Sequence, residues 1–140
     1  MMREIKFRQP LFNNDDTFNS WHYWGWISEG NFVSPLSMGH NVHGVFGLQF
    51  TNLHDKNEKE IYEGDIVAYP VECNEHNKKY FNIKKDFITK TVVIYDEENA
   101  CFDFQFEPTK KMHPLYQIVR AVDAEIEVIG NIYMNKDLLK

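Results

Sequence analysis

The stretch Phe50–Tyr69, FTNLHDKNEKEIYEGDIVAY, decides the fold. Val45–Phe50 runs into it with Phe46, Leu48 and Phe50 on one face, the period of two that marks a half-buried strand. Asp55–Glu60 (DKNEKE) is a polar connection. Within it Asn57 tolerates a left-handed backbone better than most residues, so the turn's strain is expected there. Ile61–Tyr69 (IYEGDIVAY) resumes the strand pattern through Gly64, which supplies the backbone freedom. Ile66 and Ala68 then alternate against Asp65, Val67 and Tyr69.

The same short spacing continues outward. Toward the N-terminus, Glu4–Arg8 alternates, with Ile5 and Phe7 on one face and Glu4, Lys6 and Arg8 on the other, which predicts a strand buried through its apolar face. Asn13–Asp16 is a polar turn, and Trp21–Ile27 (WHYWGWI) carries aromatics on both faces, with Gly25 permitting a bend. Glu29–Asn31 reads as a turn and Val33–Gly44 as a surface loop. Toward the C-terminus, residues 71–86 form a polar insertion. Phe87–Tyr95 and Cys101–Phe106 are strands joined by a turn at Asp96–Asn99, with Phe102, Phe104 and Phe106 sharing a face. Pro108–Pro114 breaks the pattern, Leu115–Ala121 fits either helix or strand, Ile126–Tyr133 is a strand, and Lys136–Leu139 is a short helical turn. A chain of 140 residues built this way is expected to be one mainly-β domain spanning residues 1–140.

Composition narrows the function. A 43% hydrophobic content supplies a core, and the 15% aromatic share suits pleated, half-buried surfaces. The net charge of −6 repels phosphate backbones on average and weighs against nucleic acid as a partner. Cys73 and Cys101 form no CxxC pair and no disulfide framework, so reduced thiols are expected. The chain carries neither an apolar N-terminal run of signal-peptide length nor a membrane span of about 20 residues, so no membrane association is expected.

Three segments together resemble the YopX family of phage and prophage proteins of Gram-positive bacteria. Met2–Arg8 (MREIKFR) is similar to that family's REIKFRAWD, Phe50–Tyr69 to FTGLKDKNGKEIYEGDIV, and Glu127–Leu139 (EVIGNIYMNKDLL) to EVIGNIYENPELL. Asn52 and Glu58 stand where the family pattern has glycine, His54 where it has lysine, Met134 where it has an acid, and Gln9-Pro10 where it has Ala-Trp. The resemblance implies an SH3-like barrel with additional strands and minor short helices, in a protein of the host cytoplasm. It carries over no catalytic residue.

Several side-chain groups are candidates for a site. His40 and His43 have HxxH spacing, but zinc sites ordinarily take three or four ligands, and Cys73, Cys101 and His76 would have to complete one; no metal and no cofactor is expected. Glu63 and Asp65 flank Gly64 and could hold a metal or act as an acid–base pair, or serve as turn residues, with Asp65 capping a backbone amide. No nucleophile elbow, P-loop or HExxH motif is present, and the chain is not expected to be an enzyme. The stretch 76–90 interleaves Lys78, Lys79, Lys84, Lys85 and Lys90 with Tyr80, Phe81 and Phe87, an arrangement that suits single-stranded nucleic acid or a solvated insertion. Finally, alternation puts Trp24 and Trp26 on one face and Trp21 and Tyr23 on the other. One face can be core, and the second needs cover from a neighbouring subunit, from the chain itself, or from a flat ligand whose phosphates Arg3, Arg8 and Arg120 could bind. The expected protein therefore acts by binding and forms a homo-oligomer, with a host or phage protein as a further possible partner. Nucleic-acid binding and capture of a small nucleotide are the alternatives.

Overall fold

The computed structural model describes residues 4–28, 30–37, 41, 45, 47–71, 73, 75, 85–105, 112–114 and 125–139. Its strands form two five-stranded antiparallel sheets. The first contains β1 (Lys6–Phe12), β2 (Phe18–Ser28), β3 (Asn31–Val33), β4 (Leu48–His54) and β5 (Glu60–Tyr62), in the spatial order β3-β2-β1-β4-β5. The second contains β6 (Asp65–Val71), β7 (Phe87–Asp96), β8 (Cys101–Gln105), β9 (Met112–Pro114) and β10 (Glu127–Asn131), in the order β10-β6-β7-β8-β9. A 3-10 helix at Lys136–Leu139 is the expected terminal turn. The mainly-β expectation holds for the described residues. None of their helices is long and apolar enough to cross a membrane.

The quoted stretch does what its pattern requires, with one refinement. Ile61–Tyr69 is two strands, not one, because the chain passes between the sheets at Glu63–Gly64. Gly64 takes φ +87°, a region that L side chains rarely enter. Its N–H donates to Val93 O (2.8 Å) and its carbonyl accepts from Ile132 N (3.0 Å), which fastens the crossing point to the second sheet.

The core lies between the sheets. Ile61 from β5 packs with Val67, Tyr69, Val93, Phe104, Ile126 and Val128, and Leu53 and Phe102 close its rim. Fully burying an apolar side chain of this size stabilises the fold by about 1.5–3 kcal/mol. Tyr69 stacks on Phe104 at 5.4 Å between ring centroids. The inward face of β8 is thus the one its phenylalanines predicted; Phe106 lies outside the described residues.

Strand β1 departs from the expectation by burying its charged face as well. Ile5 is 49% exposed, whereas Lys6 and Arg8 are buried, Arg8 to 4% exposure. The charged face turns inward because each cation finds both a counter-charge and a ring. Lys6 meets Glu60 and Glu4 and lies 4.6 Å from the Phe50 ring centroid. Arg8 Nη2 donates to Asp65 Oδ1 at 2.5 Å, and its guanidinium sits 3.9 Å from the Trp21 ring centroid and 4.5 Å from that of Tyr62. Buried charge is tolerated where it is paired in this way. The other face of β1 is covered too. Gln9 exchanges two hydrogen bonds with the Leu36 backbone (3.1 and 2.7 Å), and Phe7 stacks on Trp24 at 4.3 Å.

Two strands were not expected. β3 falls where a turn and a loop are predicted, and β9 within Pro108–Pro114, where a break is predicted.

Candidate interaction surface

The aromatics Trp21, Tyr23, Trp24 and Trp26 of β2 end in different environments. Trp21 packs edge-on against Phe18 (5.0 Å) and Tyr133 (5.9 Å) and lies over Arg8, so it belongs between the sheets. Tyr23 meets Tyr62 at 5.8 Å but remains 42% exposed. Trp24 is held against Phe7 on the other face of β1. Trp26 is 51% exposed, and its described ring contact is with Phe32 of β3, itself 54% exposed, at 5.4 Å. The expected division into Trp21/Tyr23 and Trp24/Trp26 therefore does not leave one whole face uncovered. What is left uncovered is one end of β2.

Local backbone geometry explains that end. Gly25 takes φ +100°, and a Cβ there would stand 2.5 Å from the Ile5 carbonyl oxygen. The glycine lets β2 press against the start of β1, where Trp26 N donates to Ile5 O at 2.9 Å. Past this point β2 pairs with the short β3, Trp26 opposite Phe32 and Gly25 opposite Val33. Ile5, Trp26 and Phe32 consequently lie side by side as an exposed apolar strip at the edge of the first sheet, with Ile27 and Val33 exposed next to them in the chain. The sequence reading found Trp26 but missed Phe32, Val33 and Ile5. The signal was available: Asn31–Val33 follows Gly30 as a short hairpin return, a pattern hidden by extending the turn through Asn31.

The charged cluster beneath β2 is occupied by its own members. Burial raises the Asp65 carboxyl, while Arg8 and the Tyr62 N–H, which donates to Asp65 Oδ2 at 2.8 Å, pull it back down. Burial alone would lower Lys6, but Glu4 and Glu60 outweigh it and hold the amine above its usual value. Tyr62 and Tyr133 are both pushed up, chiefly by burial, and burial raises Glu63. Arg8 cannot serve the phosphate-binding role considered for it while it is committed to Asp65. Nor does it converge with Trp24, which stacks on the residue before it on the opposite face of β1. Among the described residues only Arg8 Nε is a buried side-chain polar atom without a hydrogen-bond partner.

The model of the YopX protein family matches residues 13–140. The chain belongs to the YopX family. The match begins beyond β1, so Lys6 and Arg8 lie outside it, as does the whole opening segment Met2–Arg8. No curated protein matches the chain.

Within the YopX pattern, the residues that carry the resemblance are engaged in building the fold. Asp55 is buried, and its Oδ1 accepts from Asn57 N (2.8 Å) and Lys59 N (2.9 Å), closing the β4–β5 turn. Its Oδ2 accepts from Val128 N (2.9 Å), and Lys56 N donates to Ile126 O (2.9 Å), so the two best-matched segments are bonded to one another. Asp65 caps the Tyr62 amide, the turn role weighed against acid–base chemistry. Glu58, not Asn57, takes the left-handed conformation (φ 65°), and Asn52 does so as well (φ 66°), both where the YopX pattern has glycine. Asn131 Oδ1 accepts from Tyr133 N (2.9 Å) and Met134 N (3.0 Å), shaping the turn into the terminal helix.

The remaining candidates do not assemble in the described part. Lys85 and Lys90 are exposed, whereas Lys78, Lys79, Tyr80, Phe81 and Lys84 lie outside the described residues. Arg3, His40, His43, His76 and Arg120 lie outside them too. Cys73 and Cys101 are half-buried. Among the described residues no group of three or more His, Cys, Asp or Glu side chains is placed to hold a metal ion.

Proposed function

We propose that this YopX-family chain is a phage- or prophage-encoded accessory protein that acts in the host cytoplasm by binding, without catalysis, and that it self-associates. The observation that carries this reading is the uncovered apolar strip around Trp26 and Phe32. Half-exposed aromatics clustered on one edge are unusual on a monomer's surface and are the residue types that dominate protein interfaces. They contribute large area for little rotamer entropy. A host or phage protein is the further partner this strip would accept. The SH3-like barrel belongs to the same proposal; the Gly64 crossing, which leads one sheet directly into the other, supports it.

Sedimentation velocity over a concentration series tests the reading. The expected result is a reversible oligomer that becomes monomeric when Trp26→Ser and Phe32→Ser are combined, with an unchanged far-UV spectrum. A wild-type chain that stays monomeric at the highest concentration overturns self-association.

A further inference from the structure

Resting on the proposed self-association, we infer that two copies join edge to edge. β3 pairs antiparallel with β3 of a second copy about Phe32, so that the two first sheets run on into one. The direction of the backbone groups at the edge is the basis. Trp26 sends its N–H toward β1, to Ile5 O at 2.9 Å. A strand residue directs its N–H and C=O to the same side, so the Trp26–Phe32 pair is of the non-hydrogen-bonded kind. Phe32 therefore turns its own N–H and C=O away from β2, to the side on which no strand of the described residues lies. The close approach typical of such pairs agrees with the 5.4 Å ring contact.

Three features make a second copy of this chain the fitting occupant. The first is symmetry. An antiparallel pairing centred on Phe32 places that residue opposite its own equivalent, where the two exchange both backbone hydrogen bonds, and puts Asn31 opposite the partner's Val33. The second is charge. Each copy carries a net −6, and Asn31, Phe32 and Val33 bring no charge to the contact and lack the lysine or proline that ordinarily guards an open edge. The third is area. Trp26 and Phe32, each about half exposed, offer on the order of 75–125 Å² apiece. Even with Ile5, Ile27 and Val33 added, the strip stays well below the ~800 Å² per partner of a standard interface. That places the association among weak, reversible ones.

Cross-linking reads this geometry directly. In a chain carrying Cys73→Ser and Cys101→Ser, Phe32→Cys is expected to form a covalent dimer under mild oxidation. Directly opposed, hydrogen-bonded residues have Cα atoms about 5.5 Å apart, within disulfide reach of about 4.4–6.8 Å. Val33→Cys in the same background is expected to stay unlinked, because its two equivalents are offset along the strands beyond about 7 Å. Both substitutions fall on exposed side chains, so the fold is not at risk. Equal linking of the two variants, or none by Phe32→Cys, in a chain that sediments as an oligomer overturns the edge pairing and leaves self-association to another face. A monomeric wild type removes both proposals.

Discussion

Two residues stand in left-handed conformations where the YopX pattern has glycine, and their side chains have opposite consequences. Asn52 is compensated: its Oδ1 accepts from Glu4 N (2.8 Å) and its Nδ2 donates to Glu4 O (2.9 Å), clamping the chain just before β1. No such bond is found for Glu58 among the described residues; its own N–H closes the turn on Asp55 O (3.0 Å). Glu58→Gly should therefore raise unfolding stability by about 0.5–1 kcal/mol by relieving the backbone, whereas Asn52→Gly should lower it. Urea titrations of the two variants check the opposite signs. Asp103 makes a second residue-scale case. It is 3% exposed, accepts one hydrogen bond, from Phe104 N (2.8 Å), and has no cation beside it among the described residues. Burial, with Asp96 adding to it, pushes its carboxyl up to about 6 despite that bond. The folded protein then binds a proton that the unfolded chain has released, so this stabilisation is complete below the ordinary aspartate range and is lost as pH rises through about 6. Stability measured at pH 5 should exceed that at pH 7.5, and Asp103→Asn should stabilise the protein at pH 7.5 and flatten the difference.

At the scale of elements, legibility depended on whether a strand's partners lay within its own pattern. β8 was readable because Phe102 and Phe104 repeat at period two and meet an apolar core. β1 was read as buried on its apolar face alone, because the residues that make burial of Lys6 and Arg8 possible lie far along the chain, at Glu60, Tyr62 and Asp65, and no local period reveals them. β3 and β9, three residues each, are too short to hold a period at all. The cross-chain pairing that buries the charged face of β1 should dominate its energetics. Arg8 on β1 and Asp65 at the start of β6 join the two sheets in a nearly dry setting. Arg8→Met leaves a buried carboxylate, and Asp65→Asn leaves a buried guanidinium between Trp21 and Tyr62. Each should cost about 3–5 kcal/mol. The double variant Arg8→Met with Asp65→Asn should cost clearly less than the sum, since neither charge then remains unpaired. Additive losses in denaturant unfolding would show that the two side chains do not act as a pair.

Across the whole molecule, the residues that identify the family and those proposed to act are different sets. Asp55, Gly64, Asp65 and Asn131 bond the strands together, which is why the motifs disclosed architecture and no chemistry. The apolar strip comes from Ile5, Trp26 and Phe32, brought together only by the β1–β2–β3 register, so Trp26 was legible as a candidate while its companions were not. Salt separates the two kinds of binding considered for this chain. Two copies of charge −6 repel, and the proposed contact between them is uncharged, so screening the repulsion should tighten self-association. Excluded kosmotropic salts such as sulfate should tighten it further by strengthening apolar burial. Binding of an oligonucleotide through Lys85, Lys90 and the neighbouring lysines would run the other way, because each phosphate contact releases counterions and weakens as salt rises. Sedimentation equilibrium at low and high sodium chloride, paired with oligonucleotide titrations at the same salts, gives both slopes. Association that strengthens with salt fits contact through the strip. Association that weakens with salt would mean that opposite charges hold the copies together, and the contact would then have to be sought among the lysines of residues 76–90.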